Sequence, residues 1–323
     1  MKIGLLIGLF VYLFIGSIPA RAGALSLSLD PSVIEIHALP PSVTTNTLSI
    51  QNKSDSLVQL QIRITPFKAK LGNGELEYLN SQDSFVTQHV QILDGAVPVE
   101  GITLGPRQQK NLTLNVSIPQ DTTISRPTSP ASELAGGRDY YFSIIFVSDN
   151  NTSTTSNASL NQLGIAANVL LSVGAKETLN AVLQEFSSGL FFEKGPVPFT
   201  VRVKNKGTHF IKPKGEILIK NMFGQNIGKL DLTSVNVLSD SIRAIPNAAN
   251  LDFAYPKAIW KEDFLLGFYT ATLNIALSDN GPVFTRSIHF AALPLQGMIL
   301  IVATAIAAIV VISRLKARMN QES

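Results

Sequence analysis

His37, His89, His209 and His289 are the four histidines of this 323-residue chain, and cysteine is absent. General base work, a nucleophilic thiolate and a soft metal site would all start from these two residue types. The histidines stand singly, none with a second histidine or a carboxylate at the spacing of a His-Glu-x-x-His helix, so the sequence predicts no metal ligands. Aspartate and glutamate are equally dispersed and nominate no carboxylate pair for glycoside hydrolysis. Gly-x-Ser-x-Gly and Walker-type glycine loops are missing too. The expectation is a protein that is not an enzyme, with no catalytic residue and no cofactor, whose work is binding. An enzyme whose site the fold assembles from distant residues is a third and weaker reading.

One short segment has the composition of an anion cradle. In Ala135-Gly136-Gly137-Arg138 a Gly-Gly turn is followed by arginine, although a Gly pair is also an ordinary turn into the strand that begins near Tyr140. Tyr78, Arg138 and Tyr140 are the candidate binding residues. Beside them stands the loop 148–161, almost wholly Ser, Thr, Asn and Asp, which reads as exposed.

The elements that must position these residues are strands. Residues 47–54, 57–64 and 101–118 alternate apolar and polar; Leu57, Leu60, Ile62 and Ile64 form one apolar row, and Leu112, Leu114, Val116 and Ile118 another. Period-two alternation buries one face and wets the other. Residues 140–147 and 165–173 are near-continuous apolar runs, as in strands central to a sandwich. After a joint near 176–186 a second β unit follows, with strands at 197–204, 215–220, 268–277 and 283–290 and a Ser-Asp-Asn-Gly-Pro hairpin at 278–282. The phrases TNTLSIQNKSDSLVQLQIRI and PVPFTVRVKNKGTHFIKPKGEILI share a strand, an Asn-Lys-Ser/Gly turn and a second strand. The fold class expected is all-β: two tandem immunoglobulin-like β-sandwich domains, 23–175 and 176–293.

Both ends read differently. Met1 and Lys2 precede an apolar run that closes on Ala20-Arg21-Ala22, which predicts a signal peptide over 1–22, cut after Ala22 or Ala24. No ionisable residue lies between His289 and Arg314, which predicts a transmembrane helix at 294–313, a basic cytoplasmic tail at 314–323 and a single-pass protein with its ectodomain outside the cell. Setting aside five basic residues and one acidic residue in those ends leaves 21 basic against 22 acidic, so no nucleic-acid partner is expected. Without disulfides, an exported chain must be held by its cores, which fits a bacterial envelope.

The architecture resembles the bacterial WxL-interacting surface proteins, through SLSLDPSVIEI, TLSIQNKSDSLVQLQIRI, LGPRQQKNLTLNVSIP and RDYYFSIIF. That resemblance implies a membrane-anchored binding or scaffold protein whose partner is peptidoglycan or another cell-surface protein. The alternative is an envelope assembly chaperone of the pilus-chaperone type, holding a subunit by adding a strand to an open sheet edge.

Overall fold

The structure, a computed structural model, describes residues 25–70, 72–80, 83–120, 138–148, 163–174, 180–249, 256–277 and 282–319. The signal segment 1–22, most of the loop 148–161, Ala135 to Gly137 and most of the hairpin at 278–282 lie outside the described residues. The chain is mostly β.

The first half holds β1 (Leu27–Asp30), β2 (Val33–Ala38), β3 (Ser42–Asn52), β4 (Val58–Ala69) and β5 (Leu76–Tyr78). After a short helix, α1 (Ser84–His89), come β6 (Val90–Asp94), β7 (Val97–Pro98), β8 (Gly101–Leu104), β9 (Gln109–Ile118), β10 (Arg138–Ser148) and β11 (Gly164–Val173). One sheet runs β1-β3-β9-β6-β7, and the sheet facing it runs β2-β11-β10-β4-β5 with β8 also on β4. Their inner faces meet in one apolar cluster, where Leu48, Leu112 and Leu114 oppose Phe142, Ile144 and Phe146. Each of these side chains contributes on the order of 1.5–3 kcal/mol by leaving water. The predicted row Leu112, Leu114, Val116 and Ile118 is buried throughout. Leu57 departs from its row: it is 61% exposed, because it stands in the corner before β4 and not on the strand.

The second half contains β12 (Ala181–Ser188), β13 (Phe191–Phe192), β14 (Val197–Asn205), β15 (Lys214–Asn221) and β16 (Asn226–Asp231). It continues through β17 (Ile242–Ala244), β18 (Ala258–Trp260), β19 (Gly267–Ala276) and β20 (Val283–Ala292), and α2 (Leu295–Met319) follows. Its sheets run β12-β14-β17, with β18 on β14, and β13-β20-β19-β15-β16. Phe199, Val201 and Val203 alternate inward from β14 onto Ile217, Ile219 and Leu273. A third, smaller cluster, Phe67, Leu170, Phe210 and Leu238, joins the two halves.

The predicted transmembrane helix at 294–313 is corrected. Among the described residues no helix is long and apolar enough to cross a membrane. The helix runs from Leu295 to Met319 and takes in Arg314, Lys316 and Arg318, which the sequence reading set apart as a tail. The single-pass cell-membrane localisation built on that helix falls with it.

Candidate functional site

Three places merit attention as sites, beginning with the residues nominated from the sequence. Tyr140 is only 6% exposed and stacks on Phe85 of α1 at 4.2 Å between ring centroids. Burial is the first cause holding its phenol above the ordinary range. The Arg138 guanidinium lies over the same ring at 5.1 Å, a cation–π contact. Fold and sequence thus bring Arg138 and Tyr140 together, but as packing at the start of β10. Tyr78 is 47% exposed and sits on β5, with β4 between it and β10. It does not join them, since two strand spacings amount to about 10 Å.

A second place is the edge of β11. This strand pairs antiparallel with β10 along its whole length, but its other side is covered by β2 only from Asn168 to Val173. Gly164, Ile165, Ala166 and Ala167 have no strand beyond them among the described residues. The direction of the uncovered groups follows from the ladder. Asn168 N–H donates to the Ser32 carbonyl at 2.9 Å and Gly174 N–H to the Ala38 carbonyl at 3.0 Å, so even-numbered residues direct their backbone groups to this side. Gly164 and Ala166 therefore present theirs outward. Across the core lies β1, which among the described residues is the edge of the first sheet and pairs with β3 alone. Between the two edges, Leu25, Leu27 and Ile165 are partly buried against the core. Pro31 is why the seam is half open. Lacking an N–H, it ends β1 at Asp30, and the chain crosses to the opposite sheet as β2, closing only the part of the seam that β2 reaches. The sequence signal was Asp30-Pro31 inside an apolar run. It marked the break, but not the edge that the break uncovers.

The third place is a polar cluster between the halves, which no spacing in the sequence discloses. Asp139 of β10 and His209, 70 residues apart, meet at 2.7 Å from Oδ1 to Nδ1, and Ser172 Oγ of β11 lies 2.6 Å from the same nitrogen. Asp139 Oδ2 accepts from the Phe210 N–H and from the Tyr141 hydroxyl, both at 2.5 Å. The Tyr141 oxygen in turn accepts the Ser239 N–H at 3.0 Å. Burial, and then Asp139, push the Tyr141 phenol far above its usual value. A serine, a histidine and an aspartate suggest nucleophilic catalysis, but that relay needs the serine on one ring nitrogen and the carboxylate on the other. Here both meet Nδ1, and Asp139, Ser172 and His209 are all buried. The cluster is built as an interface.

Neither a known family profile nor a curated protein matches the sequence. Among solved structures, a complex of a chaperone with a tip adhesin of CFA/I fimbriae aligns at 11% identity over 81% of this chain and 98% of that chain, with a TM-score of 0.40. The class 5 fimbriae chaperone CfaA aligns at 12% identity over 81% and 98%, with a TM-score of 0.37. The CsuC–CsuE chaperone–tip subunit complex from Csu pili of Acinetobacter baumannii aligns at 14% over 68% and 89%, with a TM-score of 0.34.

Membership of the WxL-interacting family is accordingly corrected, and with it the peptidoglycan, surface-protein and membrane partners and the anchored scaffold function. No family profile supports it. The physical reason lies in the residues that carried the resemblance. Asn52 is a buried corner, Leu112 to Ile118 a core row, and Tyr140 to Phe146 an inner strand. These are requirements of a packed β scaffold and say nothing about a wall ligand.

Proposed function

We propose that the chain is a non-enzymatic binding protein that holds an extended segment of a partner polypeptide by strand addition, in the manner of an assembly chaperone. In this reading the two pairs of sheets are tandem immunoglobulin-like domains, 23–175 and 176–293, exported by the segment 1–22. The observation that carries it is the outward backbone of Gly164 and Ala166 beside the half-covered Leu25, Leu27 and Ile165. An incoming strand satisfies those backbone groups and lays alternate apolar side chains into the seam. The fimbrial chaperone structures, two of them solved with a tip subunit, make a pilus-type subunit the partner to try first.

The test uses synthetic peptides of about ten residues that alternate Val, Ile or Leu with Ser or Thr, against peptides of the same composition in scrambled order. Alternating peptides are expected to bind and to protect the amides of Gly164 and Ala166 from hydrogen exchange. Ala166→Pro, which removes an outward donor without touching the β10 ladder, abolishes the binding. Equal binding of scrambled peptides, or an unaffected Ala166→Pro protein, refutes the reading.

A further inference from the structure

We infer that the Asp139–His209 contact is a pH-responsive latch that sets how tightly the two halves dock. The Asp139 side chain is wholly buried, and among the described residues it makes no ion pair with lysine or arginine; its one ionisable cation is His209, itself buried. A carboxylate in that setting is favoured by an imidazolium on the same oxygen, and the imidazolium is favoured in return. The contact spans the halves, since Asp139 stands on β10 and His209 in the loop after β14. When the halves separate, His209 goes into water and takes the ordinary histidine affinity for a proton, with a pKa of about 6.5.

The other titratable and charged groups around the cluster are few. Tyr141 shares Asp139 from β10 and stays neutral through this range. His37 of β2 stacks on Phe210 at 5.1 Å. Glu35 of β2 is held by Lys212 at 2.9 Å and Asn236 at 2.7 Å, and Arg243 donates to the Asn236 carbonyl at 2.6 Å. Glu35 is already paired with Lys212, and burial is what lowers the Arg243 guanidinium. His37 is the only other side chain among them that titrates near neutral pH.

The sign follows from the docked contact. A buried carboxylate oxygen 2.7 Å from Nδ1 favours the protonated ring in the docked state, so the latch is engaged at the acid end of the range and loosens as His209 gives up its proton. Above that point the Nδ1–H tautomer still donates to Asp139, but the charge is gone. The apolar cluster of Phe67, Leu170, Phe210 and Leu238 keeps the halves associated, so the change is a loosening and not a dissociation.

The experiment uses the full chain, whose lack of cysteine makes paired labelling clean. Gln91→Cys and Asn226→Cys, one exposed site in each half, carry a donor and an acceptor dye, and energy transfer is followed from pH 5.5 to 8.5. The expected result is a one-proton change within that range. His209→Asn, whose carboxamide donates to Asp139 without titrating, removes the change, Asp139→Asn removes it too, and His37→Gln leaves it. A flat wild-type curve, an unchanged midpoint in His209→Asn, or loss of the change in His37→Gln overturns the latch. Because no ligand is added, the outcome is independent of strand addition.

Discussion

Asn52 and Asn205 hold the same corner, one in each half of the molecule. Both are fully buried at the end of a long strand. Asn52 Oδ1 accepts the Ser54 N–H at 3.0 Å, and Asn205 Oδ1 accepts the Gly207 N–H at 2.9 Å. Their amide nitrogens reach distant loops: Asn52 donates to the Gly105 carbonyl at 2.8 Å, and Asn205 to the Val237 and Leu238 carbonyls, both at 3.1 Å. The shared Asn-Lys-Ser/Gly phrase is thus a structural repeat, because a buried carboxamide is what ties each turn to the opposite side of its core.

Truncating either asparagine strands a backbone donor and at least two carbonyls away from water. Asn52→Ala and Asn205→Ala are each expected to lose about 2–4 kcal/mol in denaturant unfolding. A loss below about 0.5 kcal/mol for either would mean that water replaces the carboxamide and that the corner is not held by it.

Much of the scaffold was legible for the reason these corners were. Alternation within 101–118 and the apolar runs at 140–147 and 165–173 depend on neighbours one or two residues away; the first became β8 and β9 around a turn, and the two runs became β10 and β11. The helix Ser84–His89 was missed, although Asp83 caps it by accepting the Phe85 N–H at 2.9 Å; six residues carry too little periodicity to register. The candidate sites were not legible. The open edge of β11 depends on where β2 begins alongside it, and the Asp139–His209 contact joins residues 70 positions apart, so neither leaves a local pattern.

Gly215 tests how closely β15 approaches β19. A Cβ there would lie 2.4 Å from the Asn274 carbonyl oxygen and 2.9 Å from the Ile275 Cα, both backbone atoms that cannot rotate aside. Gly215→Ala is expected to cost about 1–3 kcal/mol or more, read as a lowered unfolding midpoint. Gly224, with open space around it but a φ of +77°, should cost about 1–2 kcal/mol when changed to alanine, from backbone strain alone. Equal, negligible losses at both positions would show that the strands part freely.

Tyr141 governs the alkaline limit. Burial, then Asp139, raise its folded value far above 10, so the unfolded chain ionises first. The stability this contributes is complete below about pH 10 and is lost as pH rises beyond it. Tyr141→Phe should lose about 1–2 kcal/mol at neutral pH through its bonds to Asp139 and the Ser239 N–H, and its stability should fall less steeply above pH 10. An alkaline slope identical to the wild type would assign the effect to other tyrosines.

Glu35 gives the interface an acid limb separate from the His209 one. Burial by itself would raise its carboxyl, but hydrogen bonds from Asn236 and Lys212, with the Lys212 and His37 charges, hold it below the usual range. A lowered folded value means the contribution is present above about pH 4.3 and is lost as pH falls through the folded value. Glu35→Gln keeps an acceptor for both partners, so at pH 7 it should change stability by less than about 1 kcal/mol, as expected for a partly exposed pair. It should also flatten the unfolding curve between about pH 3 and 5 while leaving the energy-transfer change at higher pH intact. If Glu35→Gln instead moved the upper transition, the carboxylate and the imidazole would be one coupled system, and the loosening of the interface could not be assigned to the Asp139–His209 pair alone.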